Sequence, residues 1–192
     1  MNRFPMFGVA SVIALALIGG CGNQANHASD GKMMSDADAQ GAVATAKVQP
    51  SKAAATQPSN QKVTGTVKIV QMKDGVHFTA QFTGLSPGKH GFHIHEKGDM
   101  SDPGLASVGD HYNPGHSHHG DAKGEARHAG DLGNLVASAD GTAKYDQMIA
   151  GLTVAELIGK SVIVHAQEDD LKTDPSGNSG GRVAGGVIEA AK

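Results

Sequence analysis

Apolar and polar residues alternate along most of the chain beyond residue 62. The run 63–69 reads VTGTVKI, the run 76–82 reads VHFTAQF, and the pair Asp74-Gly75 lies between them. Successive side chains of a strand point to opposite faces, so two runs of period two around Asp-Gly predict a β-hairpin. Similar patterns predict six more strands, at 42–49 (expected at a sheet edge), around Phe92 and Ile94, and at 132–138, 142–148, 161–165 and 182–189.

No segment shows an extended helical period, and 154–158 offers a turn or so at most. Short strands without intervening helices favour an antiparallel sandwich or barrel. The chain has 192 residues, of which 39% are hydrophobic and 4% aromatic, so it can bury one core of ordinary size. We therefore predict a single all-β domain at residues 42–192.

The first forty or so residues differ in character. Arg3 precedes the apolar run Phe7–Ile18, which is too short to cross a bilayer and is typical of an export signal at residues 1–20. LIGGC, ending at Cys21, resembles the lipobox of bacterial lipoproteins; cleavage before Cys21 would leave that cysteine lipidated and the protein anchored to a membrane. An ordinary secretory signal with an incidental cysteine is the alternative. The polar residues 21–41 predict a flexible tether.

Export would place the protein on the periplasmic or cell-surface side of a membrane. Gly22 stands where many Gram-negative lipoproteins carry an aspartate that retains them in the inner membrane, which favours the outer membrane. The net charge of -3, with acidic and basic residues well mixed, gives no basic stripe for nucleic acid. We therefore exclude that partner class.

Two long segments lie outside the predicted strands, at 96–131 and 166–181, and both are rich in Gly, Pro, Asp and Ser. Loops of this length in a compact domain are uncommon unless they are functional or disordered. Five histidines lie in Gly109–Asn134, a stretch with little to bury. A bound metal is what we expect to fold it, because binding energy then acts as folding energy.

His93 and His95 are two apart on a predicted strand and so share a face. A solvated strand face is the simpler explanation for an H-x-H pair alone, but further histidines punctuate the long loops. Imidazole suits zinc and copper, and a carboxylate can complete a zinc set; the predicted domain has no cysteine, which excludes thiolate sites. The candidate ligands beyond the pair are His111, His119, His128, Asp131 and His165.

Several motifs, in their order, resemble those of the copper/zinc superoxide dismutase family. They are GFHIHEKGD (91–99), SVGDHYNP (107–114), HG at His119, RHAGDLGN (127–134), VHAQEDDL (164–171) and GNSGGRVAGGVI (177–188). The resemblance extends from about residue 42 to the end. It implies a Greek-key, eight-stranded antiparallel β-barrel, an immunoglobulin-like sandwich with two long functional loops.

The resemblance also implies the ligands of two metal ions. Copper would take His93, His95, His111 and His165, and zinc would take His111, His119, His128 and Asp131, so that His111 bridges both. Asp169 resembles a carboxylate that orients ligands of both metals. Arg182 resembles the arginine that attracts the anionic substrate, with Lys172 as a possible helper. His90 resembles a structural histidine; His116 and His118 match no role, and His27 and His77 are expected at the surface.

The implied activity is conversion of superoxide to dioxygen and hydrogen peroxide by Cu(II)/Cu(I) cycling, with zinc structural and His111 passing a proton. The alternative is a lipoprotein of the same fold that binds copper and zinc without turnover. Leu105 and Gly185 occupy the positions of the family's usual disulfide. A mobile first loop is therefore expected without metal, and the sequence does not choose between a monomer and a homodimer.

Overall fold

The structure is a computed structural model that describes residues 41–56 and 62–192. The predicted signal, Cys21, His27 and most of the tether lie outside these ranges. The described part is almost entirely β-structure, with one short α-helix, α1 (Val154–Leu157), and 3-10 turns at Ala53–Thr56 and Ala106–Val108. The strands are β1 (Val43–Pro50), β2 (Thr64–Met72), β3 (Gly75–Thr83), β4 (Gly88–His95), β5 (Asp131–Ala137), β6 (Ala143–Ala150), β7 (Ser161–His165) and β8 (Arg182–Ala190).

All neighbouring strands pair antiparallel, in the order β5-β4-β7-β8-β1-β2-β3-β6. The two end strands, β5 and β6, also contact each other, so the sheet comes close to closing on itself. The chain crosses between the two halves of this order after β3, after β5 and after β6, as in a Greek key. The predicted all-β barrel is confirmed.

The predicted hairpin forms as β2 and β3, with Val67 opposite Ala80 and Ile69 opposite Phe78. The prediction that the first strand lies at an edge is wrong. β1 pairs with β2 on one side and with β8 on the other, because the last strand of the chain returns to cover it. Alternation in a sequence reveals the face that is buried but not which strand covers each side.

Phe92 on β4 occupies the middle of the core. Its ring meets Phe82 edge-on with centroids 5.5 Å apart and Tyr145 with centroids 5.2 Å apart. Tyr145 is buried and donates its hydroxyl to the carbonyl of Leu132 at 2.8 Å, so its polar atom is satisfied. This packing anchors β4, the strand that carries the first histidine pair.

A second, smaller apolar group lies under the loop after β4. We call it the Leu105 cluster: Leu105, Val108 and Ile163 are buried together, and Met100 packs against them. Leu105 adopts a left-handed backbone conformation, φ 61°, that side chains rarely take. The burial of its side chain, 5% exposed, offsets that cost.

His77 is not the surface residue that the sequence suggests. It is 9% exposed, and its Nε2 lies 2.7 Å from a carboxylate oxygen of Asp146 on the neighbouring strand. None of the helices in the described residues is both long enough and apolar enough to span a membrane.

Candidate metal centre

Two long connections cover one face of β4. We call residues 96–130 the first loop and 166–181 the second loop. Phe92 and Ile94 point into the barrel core, whereas His93 and His95 lie beneath the loops and are fully buried. The histidine pair therefore faces a covered site and not solvent.

Backbone hydrogen bonds hold the first loop against β4. Tyr112 N–H donates to Ile94 O, Ile94 N–H donates to Gly130 O, and Gly130 N–H donates to Tyr112 O, each at 2.8 Å. A Cβ atom on Gly130 would overlap Ile94 O, so only glycine permits this close approach. His111 also forms an isolated bridge with His95. These bonds bring loop histidines over the strand pair.

Among the described residues, buried side chains form three groups, and within each group the potential ligand atoms lie within 4.8 Å of one another. Two of the groups share His111, and the third is His93, His119 and Asp169. The sequence-predicted ligands are thus all brought together, as the first group His93, His95, His111 and His165, and the second group His111, His119, His128 and Asp131.

In the first group, hydrogen bonds on the far side of three rings fix which nitrogen faces inward. His93 Nε2 donates to Asp169 Oδ2 at 2.8 Å, His95 Nδ1 to Gly109 O at 3.0 Å, and His165 Nδ1 to Gly180 O at 3.1 Å. The inward nitrogens are therefore His93 Nδ1, His95 Nε2 and His165 Nε2. Such outer hydrogen bonds are what orient histidines at metal sites.

Two inward nitrogens are left without hydrogen bonds. Among the described residues, His93 Nδ1 and His111 Nε2 are buried and have no hydrogen-bond partner. An unsatisfied buried polar atom is costly, and an ion bound by these nitrogens removes that cost. Four converging imidazoles suit copper or zinc, so the residues present fit a metal ion.

In the second group, one carboxylate oxygen lies among three imidazoles. Asp131 Oδ1 is 2.8 Å from His111 Nδ1, 3.1 Å from His119 Nδ1 and 3.3 Å from His128 Nδ1. Its other oxygen accepts from the backbone N–H groups of Gly120 and His128, which fixes the carboxylate. Three imidazoles and one carboxylate are a donor set that tetrahedral zinc accepts.

Asp169 links the two groups. Its Oδ2 accepts from His93 Nε2 and its Oδ1 from His119 Nε2, both at 2.8 Å. Asn134 holds Asp169 in turn: the Asn134 amide accepts from Asp169 N–H at 2.8 Å and donates to Asp169 O at 2.9 Å. Sequence reasoning missed this role of Asn134, because nothing in its spacing reveals a partner 35 residues away.

Burial dominates the electrostatics of the first group. It lowers the pKa of His93 and His95 well below the usual value, with charge repulsion from His111 and His165 adding to it. Burial, opposed by the hydrogen bond to Gly180, lowers the pKa of His165 to about 4. These imidazoles are therefore neutral near pH 7, the form that binds metal.

His119 and Asp131 of the second group behave in the opposite way, whereas burial lowers the pKa of His128. Burial disfavours a charged His119, but hydrogen bonds to Asp131 and Asp169 outweigh it and raise the pKa of His119 to about 10. Burial likewise opposes ionisation of Asp131, yet hydrogen bonds from His111 and His119 hold its pKa well below the usual range. Without metal this group carries a buried cation against carboxylates, which is the charge arrangement that a metal ion would replace.

A small cavity opens from the first group to solvent. Arg182 lies beside this cavity and is partly buried. Its Nη1 donates a hydrogen bond to Leu105 O at 2.6 Å, and its Nη2 donates one to Gly109 O at 2.7 Å. Burial lowers the pKa of Arg182, and the charges of Asp110 and Asp102 offset only part of this shift. The cavity is lined by His95, Asp110, His111, His165, Pro175, Ser176, Gly180 and Arg182.

The remaining sequence candidates lie apart from this cavity lining. Lys172 is exposed on the second loop, and its backbone N–H donates to Asp170. His90 is buried and bonds the backbone carbonyls of His165 and Ser86, the structural role expected of it. His116 is exposed, as expected, whereas the exposed ring of His118 bonds Asp174.

Comparison with known proteins agrees with this arrangement. Residues 63–188 match the family described as copper/zinc superoxide dismutase (SODC). The chain is 44% identical over 141 residues to the extracellular superoxide dismutase (Cu-Zn) of Brugia pahangi, covering 67% of this chain and 70% of that protein. It is 46% identical over 140 residues to the superoxide dismutase (Cu-Zn) of Onchocerca volvulus, covering 66% of this chain and 88% of that protein.

A third relative is an extracellular superoxide dismutase (Cu-Zn) of Drosophila melanogaster, 47% identical over 143 residues, or 69% of this chain and 78% of that protein. The matched region contains both histidine groups, Asp169 and Arg182. By sequence, fold and donor set, this chain belongs to the copper/zinc superoxide dismutase family.

Proposed function

We propose that this protein is a superoxide dismutase, which converts two superoxide ions and two protons into dioxygen and hydrogen peroxide. The observation that carries the proposal is the shared imidazole of His111. Its Nε2 faces the first group without a hydrogen-bond partner among the described residues, and its Nδ1 lies 2.8 Å from Asp131 in the second. One ring thus serves two adjacent metal positions, in a chain whose relatives are named copper/zinc superoxide dismutases.

We assign copper to the group that opens to solvent and zinc to the enclosed group. Copper would be held by His93, His95, His111 and His165, and zinc by His111, His119, His128 and Asp131. Copper held there would supply one-electron redox chemistry, cycling between Cu(II) and Cu(I). Zinc has no redox chemistry, and its position beneath the first loop suits a structural ion.

Arg182 is assigned to binding the anionic substrate at the cavity mouth. Its guanidinium is held by the carbonyls of Leu105 and Gly109, so its position is fixed before substrate arrives. A guanidinium remains charged at physiological pH and attracts an anion into a narrow opening. Superoxide would therefore be drawn to the side of the cavity that the histidines line.

His111 is assigned to proton delivery. His111 lines the cavity, and Asp131 keeps its ring oriented through Nδ1. Its Nε2 would carry the proton when that nitrogen is not bound to a metal ion. A proton at Nε2 is within the same cavity as the departing peroxide. Asp169 would fix the orientation of the His93 and His119 rings, because each of its two oxygens accepts a hydrogen bond from one ring.

Loading the purified protein with copper and zinc and measuring superoxide loss tests the enzymatic proposal. The His165→Ala variant should lose at least about a hundredfold in activity, because removing a ligand should cost more than the roughly 10- to 100-fold that removing a ligand-orienting group costs. His116→Asn, at an exposed histidine outside both groups, is the matched control and should retain wild-type activity. Binding of both metals without activity in the wild type would favour the non-catalytic metal-binding alternative.

We also propose that the protein is exported and lipid-anchored. Support comes from the apolar run Phe7–Ile18 followed by Cys21, and from two relatives named extracellular enzymes. In this proposal residues 1–20 are removed, 21–41 form a tether and 42–192 form the barrel domain. Metabolic labelling with palmitate should mark the wild type and not Cys21→Ser, and both should reach the outer side of the inner membrane.

A further inference from the structure

Asp174, which is not among the assigned metal ligands, joins the two loops. Its Oδ1 accepts from the backbone N–H of His119 at 2.7 Å, and its Oδ2 accepts from His118 Nδ1 at 2.6 Å. His119 and His118 belong to the first loop, whereas Asp174 belongs to the second. One carboxylate therefore connects the loops through two separate hydrogen bonds.

The contact with His118 alone would be weak. The His118 side chain is 91% exposed and the Asp174 side chain 49%, and exposed ion pairs contribute little. The contact with His119 is different, because the His119 side chain is fully buried and its Nε2 already bonds Asp169. His119 is thus held by two carboxylates of the second loop, one at its ring and one at its backbone.

The residues after Asp174 form part of the cavity wall. Pro175 and Ser176 line the cavity together with His95, His165 and Arg182. The second loop is closed tightly behind them, since Gly177 N–H donates to Thr173 O at 2.6 Å and Asp170 N–H donates to Gly177 O at 2.8 Å. A shift of Asp174 would therefore move the wall.

We propose that Asp174 is a positioning residue that couples the zinc-binding group to the mouth of the copper cavity. Metal held by His119 fixes the backbone of the first loop at residues 118–119. Asp174 transmits that position to Pro175 and Ser176, which shape the entrance beside Arg182. The proposal rests on the assignment of zinc to the His119 group.

Zinc titration of the copper-free protein tests the coupling without using dismutase activity. Asp174→Ala should raise the zinc dissociation constant about tenfold, as changes in groups that orient ligands do. It should also abolish the zinc-induced protection from hydrogen exchange of the amides from Ser176 to Gly180. His118→Ala should raise the dissociation constant only about twofold, since it removes the exposed contact alone.

Glu168→Ala is the charge-matched control. Glu168 lies in the same loop, but its carboxylate pairs with Lys89 on β4 at 2.6 Å. Its removal should leave zinc affinity within about twofold of the wild type. Asp174→Asn keeps an oxygen acceptor for His119 N–H and should fall between Asp174→Ala and the wild type, which preserves the test if the alanine variant does not fold.

The possible outcomes separate the coupling from the zinc assignment. Wild-type zinc affinity and protection in both Asp174 variants would overturn the coupling and leave the zinc site standing. Equal losses in Asp174→Ala and Glu168→Ala would also overturn it, because loop charge alone would then explain both. Absence of zinc binding to the wild type at the His119 group would overturn both proposals together.

Discussion

The Cδ1 methyl of Ile163 lies 2.6 Å from the point where a Cβ atom on Gly185 would stand. Leu105 Cδ1 lies 3.3 Å from the same point. By the sequence resemblance, Leu105 and Gly185 stand where the family's usual disulfide lies, and the side chains of Leu105 and Ile163 fill the space beside Gly185. Apolar packing between the first loop and β7 occupies this position.

A disulfide between residues 105 and 185 requires the Ile163 methyl to move. In a Cys21→Ser background, Leu105→Cys with Gly185→Cys should oxidise poorly, because the new Cβ at 185 meets Ile163. Adding Ile163→Val removes the obstructing methyl. The bridge should then contribute about 4 to 5 kcal/mol by chain entropy, less the packing lost at Leu105. Thiol titration and thermal unfolding with and without reductant measure this; equal oxidation in both backgrounds would contradict it.

Leu105→Ala should destabilise the metal-free protein by about 2 to 4 kcal/mol, because it leaves a cavity in the Leu105 cluster. Urea unfolding gives the free energy, and hydrogen exchange of residues 102–110 should accelerate. Val136→Ala, at a side chain 64% exposed on β5, is the control and should change stability by less than about 0.5 kcal/mol. Unchanged exchange in Leu105→Ala would show that other contacts hold the loop.

Asp110→Asn should increase the rate of superoxide capture. Asp110 lines the mouth beside Arg182, so its negative charge opposes the attraction of an anion. A unit charge acting through water over roughly 5 to 10 Å is equivalent to about two- to fourfold in local anion concentration. The gain should shrink in high salt, where such interactions are screened. Azide binding to the copper-loaded protein provides a readout independent of activity.

Glu189→Gln is the charge-matched control for Asp110→Asn. Glu189 is exposed on β8, seven residues from Arg182 and so about 23 Å along the strand. It should change neither azide affinity nor rate by more than about 20%, because screening is strong at that distance. A similar gain in both variants would assign the effect to net charge and not to the mouth.

The metal-free protein should be most stable near pH 6.5 and lose stability as the pH falls toward 4. The pKa values of His93, His95 and His165 are lowered by burial, so the unfolded chain takes up their protons first. Each such imidazole changes the free energy of unfolding by at most about 1.4 kcal/mol per pH unit. His119, with its pKa raised to about 10, contributes stability below pH 6.5 that is lost as the pH rises toward 10.

Urea unfolding of metal-free protein between pH 4.5 and 9 checks this profile. His165→Gln removes one of the imidazoles whose pKa burial lowers and should make the loss of stability in acid less steep. The metal-loaded protein should resist acid further, until protons compete with the ions for nitrogen. Constant stability of the metal-free protein from pH 6.5 to 4.5 would contradict the expected profile.

β3 was predictable to within about one residue at each end because apolar and polar residues alternate along it. The segment Ser161–His165 is buried throughout, and its short apolar run located it to the residue. Pairing was less accessible: the sequence gives no sign that β8 covers β1, since that contact joins opposite ends of the domain. His77 was misjudged for the same reason, because its partner Asp146 is 69 residues away in sequence although it lies on the neighbouring strand.

The candidate ligands were predictable because their chemistry is specific and their order resembles a known family. The residues that hold the ligands were harder to find. Asn134, which fixes Asp169, and Asp174, which bonds His119 N–H, act through backbone groups and carry no spacing signal. Contacts between two loops depend on how each loop closes, and short-range patterns do not encode that.

The pairing of β1 with β8 determines where an attachment would meet the barrel. Ala44 lies opposite Ala190, whereas Arg182 begins β8 at its other end, eight residues or about 26 Å away. A fluorophore, purification tag or sensor-chip linker joined ahead of Val43 would therefore be attached at the end of the barrel that lies far from the cavity. Immobilised protein should keep its entrance open to solution, which makes N-terminal coupling the preferred geometry for an electrode.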